Sequence, residues 1–139
     1  MKILFICRAN SGRSQMAEAI YNKLTNTSDA KSAGVDLGHS SLGARNLSVP
    51  SLIVDVMKEI GLDISNNKRK QITREMVDDA KKVVVIMSEG DYPLPEYLAN
   101  SPKMMYWNDV PDGKGHDLVF LRNIRNILED KINNLVAQN

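Results

Sequence analysis

The stretch from Ile3 to Leu24 constrains this chain more than any other. Four apolar residues, Ile3-Leu4-Phe5-Ile6, run directly into Cys7-Arg8-Ala9-Asn10-Ser11-Gly12-Arg13-Ser14, and a helical pattern follows from Gln15 to Leu24. Unbroken apolar character over so short a run predicts a central strand of a parallel sheet at Lys2–Ile6. A loop that leaves the carboxyl end of such a strand and enters a helix gathers backbone N–H groups around one point. That point also lies at the positive end of the helix dipole, so it favours an anion. Into this cradle the sequence places the guanidinium of Arg13, which can fork two oxygens of a phosphate-sized group, and the thiol of Cys7 beneath its central atom. A positive field favours thiolate over thiol and makes Cys7 a nucleophile near neutral pH. An Arg six residues after a Cys arises by chance for about one Cys in twenty at ordinary Arg usage. The preceding strand, Asn10, Gly12, Ser14 and the following helix make coincidence a poor account. Burial as an inert thiol is the commoner fate of a lone cysteine, but it leaves Arg8 and Arg13 unexplained.

The remaining pattern alternates strands and helices. On the first helix, Met16, Ala17, Ile20 and Leu24 share a face. Ala30–Ala33 is a second strand ended by Gly34, and residues 34–50 read as a long polar surface loop. From Pro50 the positions Leu52, Ile53, Val56, Met57 and Ile60 recur at helical spacing, with Gly61 as the stop. Residues 66–70 form a short basic loop, read as a solvated face, with a docking patch as the alternative. Thr73 caps a short helix through Ala80, and Val83–Met87 is the clearest buried strand. A turn at Tyr92-Pro93-Leu94-Pro95 precedes a helical piece from Glu96 to Asn100. Lys103–Trp107 is the last strand, and Asp117 caps a final helix to about Val136, with Phe120, Leu121, Ile124, Ile127, Leu128, Ile132 and Leu135 inward. Such alternation predicts an α/β domain: a four-stranded parallel sheet in the order 2-1-3-4 with helices on both faces. Ligands of such sheets bind at the carboxyl ends of the strands, where the order switches, which is where the Cys7 loop falls.

Bulk properties narrow the functional class. The 139 residues make a single domain over 1–139, long enough for a real core. A net charge of +1 gives no reason to expect nucleic acid or an anionic membrane as partner. The single cysteine excludes an intramolecular disulfide and fits a reducing compartment. The apolar N-terminal run is too short for a signal peptide, and no run approaches the roughly 18 residues of a membrane span. The expected location is the cytoplasm.

The residues around Cys7 resemble the low-molecular-weight protein tyrosine phosphatase family and its relatives, the thioredoxin-coupled arsenate reductases. Both carry C-x5-R-S after the first strand with Asn three residues past the Cys, and Cys7, Asn10, Arg13 and Ser14 match. The likeness extends to Ser14-Gln15-Met16-Ala17-Glu18, Ser32-Ala33-Gly34, Ile60-Gly61-Leu62-Asp63-Ile64-Ser65 and Trp107 through Asp112. It implies a phosphotyrosine protein phosphatase I-like fold and hydrolysis of phosphate monoesters (protein phosphotyrosine or small aryl phosphates) through a phosphocysteine. Arg13 and the loop residues Arg8, Ala9, Asn10, Ser11, Gly12 and Ser14 would hold the oxyanion. Ser14 would bond the thiolate, and Asn10 and Gly12 would brace the loop. No cofactor and no metal is implied; His39 and His116 read as surface histidines.

A proton donor for the leaving oxygen must come from elsewhere. The loop after the last strand offers Asp109 and Asp112. By resemblance Asp112 matches the family's general acid, with Asp109 as the second candidate. The family's Asp-Pro pair is here Asp112-Gly113, which predicts a looser loop. Ala9 replaces the usual Gly, and Gly12 replaces a second Cys found in many members. No paired aromatics follow Asp112, and the loop Val35 to Val49 has none. This predicts weak discrimination between aryl and alkyl esters, unless Tyr92, Tyr106 or Trp107 reaches the mouth. Two other functions fit the same cradle. One is an arsenate reductase that uses an external thiol, because the position after Met87 is Ser88 and no internal cysteine relay exists. The other is a non-catalytic phosphate-binding module.

Overall fold

The computed structural model describes residues 1–39 and 46–138. Its strands are β1 (Ile3–Cys7), β2 (Ala30–Gly34), β3 (Lys82–Val85) and β4 (Met104–Tyr106). Its helices are α1 (Arg13–Thr25), α2 (Ser51–Lys58), α3 (Arg74–Asp79), α4 (Glu96–Ala99) and α5 (Leu118–Ala137). The strands form one parallel sheet in the order β2-β1-β3-β4, as the sequence predicts. Cys7 ends β1 opposite Gly34 of β2, so the nucleophile candidate leaves the sheet at its carboxyl edge.

The apolar run of β1 is divided between two cores by the two-residue period of a strand. Ile3 and Phe5, with Val84 and Ile86, face the layer of α1, α2 and α5. Leu4 and Ile6, with Val83 and Val85, face the layer of α3 and α4. Both faces are covered, which is why the sequence shows no polar alternation here. Phe5 sits between Tyr21 and Trp107, with ring centroids 6.1 and 5.9 Å away. Burying a side chain of that size contributes roughly 1.5–3 kcal/mol.

Several local expectations hold. Thr73 accepts the Met76 N–H at 3.3 Å and Asp117 accepts that of Phe120 at 3.1 Å, so both act as N-caps. Gly61 takes a φ of +81° after α2, in the left-handed region that favours glycine. Others are corrected. Leu24 is 46% exposed, and Tyr21 takes the inward place on α1. Leu52 is 42% exposed, so α2 turns only Ile53, Val56 and Met57 fully inward. Phe120 and Ile127 are only partly buried. The supposed surface loop after Gly34 begins with buried Val35 and Leu37, forms a 3-10 turn at Leu37–His39, and ends at buried Val49. Residues 40–45 of that expectation lie outside the described residues, as does the side chain of His39.

Helix α5 is tied to the end of α2 by Glu59. Its carboxylate takes Arg122 Nη2 at 2.7 Å and Arg125 Nη1 at 2.8 Å. Hydrogen bonds from these guanidiniums, Arg122 first, hold the Glu59 carboxyl at about 2, below its ordinary 4.5. A carboxyl depressed on folding stabilises the fold above its unfolded value and loses that contribution as pH falls through its folded value. This part of the stability is therefore complete above about pH 4.5 and is lost towards pH 2. Glu59→Gln should flatten this acid limb in denaturant titrations between those values, with little change at neutral pH beyond the lost pair.

Candidate active site

The loop from Cys7 to Arg13 connects β1 to α1. Gly12 is the N-cap and supplies no side-chain acceptor, so the first-turn N–H groups stay turned toward the cradle. Asn10 has a φ of +53°, a left-handed conformation that Asn adopts more readily than most residues. Gly12, with a φ of −143°, needs no such freedom. Gly34 is needed for space. A Cβ there would lie 2.8 to 2.9 Å from backbone atoms of Arg8, Ala9 and Asn10, so the loop is pressed onto the end of β2.

A chain of polar side chains fixes the environment of the sulfur. The Lys70 backbone N–H can only donate, and it reaches Asn10 Oδ1 at 2.9 Å. That sets the Asn10 amide, whose Nδ2 then donates to Ser14 Oγ at 2.7 Å and Ser32 Oγ at 3.0 Å. Ser14 Oγ is thus an acceptor toward Asn10, and its own hydrogen is free to point at Cys7 Sγ, 3.0 Å away. Gln15 closes the network. It donates to Asn10 Oδ1 at 2.9 Å and to the Lys68 carbonyl at 3.1 Å, and accepts from Asn67 at 3.2 Å. Asn10, Ser14, Gln15 and Ser32 are all fully buried.

Arg13 is buried and oriented across the mouth of the loop. Its Nη1 donates to the Val110 carbonyl at 3.4 Å, and its Nη2 lies 3.9 Å from Asp112 Oδ2. Asp112 is exposed, and its Oδ1 accepts the Lys114 N–H at 3.0 Å, which shapes the turn that carries it. Asp109 is turned away and bound to Lys131 Nζ at 2.7 Å. The hydrogen bond from Lys131 holds its carboxyl below the ordinary carboxylate range.

Two clefts meet at Arg8, Arg13 and Asp112. One, of about 200 Å³, holds Cys7 and is walled by Met16, Ile53, Leu121 and Ile124. The other, of about 160 Å³, is bordered by Ser88, Asp91 and Tyr92. Arg8 is exposed, with its guanidinium 4.8 Å from the centre of the Tyr92 ring. No Phe, Tyr or Trp among the described residues lines the cleft that holds Cys7, and Tyr92, one of the residues expected to alter this, reaches only the second cleft. His116 lines the first cleft and stacks on Phe120, with centroids 3.8 Å apart, and Tyr92 borders the second. Trp107 is buried behind the sheet end and does not line either cleft. Gly113, expected to loosen its loop, instead brings the backbone against α5. A Cβ there would lie 2.5 Å from Leu121 Cδ2 and 3.0 Å from Ile124 Cδ1.

The largest departure from the sequence reading concerns residues 66–70. They are not merely a solvated face, because Arg69 is 2% exposed and points beneath the Cys7 loop. Asn67, the Lys68 carbonyl and the Lys70 N–H hold Gln15 and Asn10 as described above. Nothing in the sequence signals this, since three cations in a polar run look like surface. Ser32 and Gly34 carried a faint signal in the Ser-Ala-Gly triplet.

A family model described as low molecular weight phosphotyrosine protein phosphatase matches residues 2–138. The chain belongs to this family. Among curated members, it is 33% identical over 112 residues to an arsenate reductase of Staphylococcus aureus, covering 81% of this chain and 79% of that one. It is 28% identical to the glutaredoxin arsenate reductase of a Synechocystis species, over 99% of this chain and 97% of that one. Among solved structures, the low-molecular-weight protein tyrosine phosphatase from T. tengcongensis superposes with a TM-score of 0.81. That pair is 28% identical, with 100% of this chain and 99% of that one covered. The family is one of enzymes, and it includes both phosphatases and arsenate reductases.

Proposed function

We propose that this protein is a cysteine-dependent phosphatase that hydrolyses phosphate monoesters, protein phosphotyrosine or small aryl phosphates, through a phosphocysteine. The observation that carries this reading is the meeting of Cys7, Arg13 and Asp112 at one cleft, with the buried Ser14 hydroxyl against the Cys7 sulfur. In the first step the Cys7 thiolate attacks phosphorus, the S–P bond forms, and the P–O bond to the leaving group breaks. Asp112 gives its proton to the departing oxygen. Arg13 and the amides of residues 8–14 hold the three equatorial oxygens, which is electrostatic stabilisation by groups already in place. In the second step Asp112 takes a proton from water, water attacks phosphorus, and the S–P bond breaks to return the thiolate. The Ser14 hydroxyl stabilises that leaving sulfur. Asp109 is a poor donor because Lys131 keeps it ionised. The assignment covers one catalytic domain over residues 1–139 acting in the cytoplasm.

A second reading is favoured by the arsenate reductase names of the relatives at 33% and 28% identity. Arsenate would condense with Cys7 in place of phosphate, and an external thiol would attack the Cys7 sulfur. A disulfide forms as arsenic(V) leaves as arsenic(III), and a second external thiol frees Cys7. The external thiol is required because the chain has one cysteine.

The deciding experiment assays the purified protein side by side on an aryl phosphate and on arsenate with glutathione and glutaredoxin. Release of phosphate with no arsenate-dependent thiol consumption supports the first reading. The reverse result overturns it, and phosphate binding with neither activity indicates a binding module.

A further inference from the structure

Arg69 has no part in the chemistry above, yet its side chain is the largest fully buried one among the described residues. Its Nε donates to the Ala9 carbonyl at 3.1 Å, its Nη2 to the Leu37 carbonyl at 3.3 Å, and its Nη1 to the Asn46 carbonyl. Burial lowers its pKa, while the Cys7 thiolate raises it. Taking a guanidinium out of water is unfavourable unless charge and hydrogen bonding compensate. An arginine used only to fill space would be a poor choice at this position.

The Ala9 carbonyl shows what the placement does. In an anion cradle the N–H groups point inward and the carbonyls outward, and a carbonyl that rotates inward turns its negative end on the oxyanion. Arg69 Nε holds the Ala9 carbonyl on the outer side of the loop. It also brings a permanent positive charge against the loop backbone at Ala9. We propose that Arg69 is a positioning residue for the nucleophile loop, locking the outward orientation of the Ala9 peptide and adding charge that favours both the thiolate and the bound oxyanion. This rests on the reading of Cys7 as nucleophile, and not on which oxyanion is turned over.

The test compares the full chain with Arg69→Met and Arg69→Lys. Thermal unfolding first establishes which variants fold. The rate of Cys7 alkylation by iodoacetamide is then followed against pH, inorganic phosphate affinity is measured by calorimetry, and kcat and KM are measured separately on an aryl phosphate. Arg69→Met should slow Cys7 alkylation at neutral pH and move its profile to higher pH, the direction expected when a nearby positive charge is lost. It should weaken phosphate binding by roughly 10- to 100-fold, the loss that outer-shell partners of metal ligands show when removed and taken here as the scale for a positioning group. Arg69→Lys should restore most of the alkylation profile but not the phosphate affinity, since a single ammonium nitrogen cannot span the Ala9, Leu37 and Asn46 carbonyls that three separate guanidinium nitrogens reach. Folded Arg69→Met with an unchanged alkylation profile and unchanged phosphate affinity overturns the proposal. If Arg69→Met does not fold, Arg69→Lys decides alone, and wild-type phosphate affinity in that variant overturns it. Shifted alkylation and phosphate binding in a protein that hydrolyses no ester would refute the phosphatase reading and leave this inference standing.

Discussion

Replacing Cys7 with serine should leave a folded protein that still binds inorganic phosphate and turns over no ester. The loop amides and Arg13, proposed above to hold the oxyanion, are untouched by Cys7→Ser, whereas a serine hydroxyl beside Ser14 has no base to activate it. The expected loss in kcat is about 10⁴-fold or more, the scale on which removing a covalent nucleophile acts. Phosphate affinity should change far less, and calorimetry on the same sample separates the two effects. Retained turnover would remove Cys7 from the chemistry altogether. Arg13→Lys should fail in the other manner. Its ammonium cannot reach two oxygens and the Val110 carbonyl together, so both binding and turnover should fall.

Asp112→Asn should divide substrates by leaving group. For an alkyl phosphate, whose departing oxygen needs a proton, the rate should drop by about 10²- to 10⁴-fold. For a nitrophenyl phosphate, whose oxygen leaves as a stable anion, the loss should be much smaller. Asp109→Asn should be mild on both, since that carboxylate faces Lys131 and not the cleft. Measuring kcat on the two esters for both variants checks the assignment. A steep loss in Asp109→Asn with Asp112→Asn unaffected would transfer the role and require the loop to rearrange on binding.

The parts of this molecule legible in its sequence are those governed by local physics. The strand and helix flanking Cys7, the caps at Thr73 and Asp117, the left-handed Asn10 and the sheet order each follow from a short window or from the rules of parallel topology. The Cys7–Arg13 pairing is of the same kind, because six residues of loop bring both groups to one point. What the sequence hid depends on long-range contact. Arg69 lies in a run of polar and basic residues, Asn66-Asn67-Lys68-Arg69-Lys70, and composition gives no reason to single it out from Lys68, which is exposed. Its burial follows from the way residues 68–72 run beside β2, with the Gly34 N–H bonded to the Lys70 carbonyl and the Ile72 N–H to the Gly34 carbonyl. Gly113 misled for a similar reason. Its value lies in what it lets α5 approach, and α5 comes later in the chain. His116 and Phe120 stack because one precedes α5 and the other sits in its first turn, a pairing that a search for adjacent aromatics passes over.

The supports of the cradle have a consequence for the chain as it is made. The contacts that shape the loop reach across 53 residues from Gln15 to Lys68, across 60 from Ala9 to Arg69, and across 97 from Arg13 to Val110. At synthesis rates of roughly 5–20 residues per second, the last of these waits on the order of ten seconds after the first strand emerges. Closing segments of that length also costs entropy that only the finished packing offsets. For that interval the nascent chain carries Cys7 and Arg13 with no pocket around them, and the thiol is as open to oxidants as in any unfolded segment. The cradle is therefore a late product of folding, begun when residues 68–70 arrive near the middle of the chain and completed only when Val110 does.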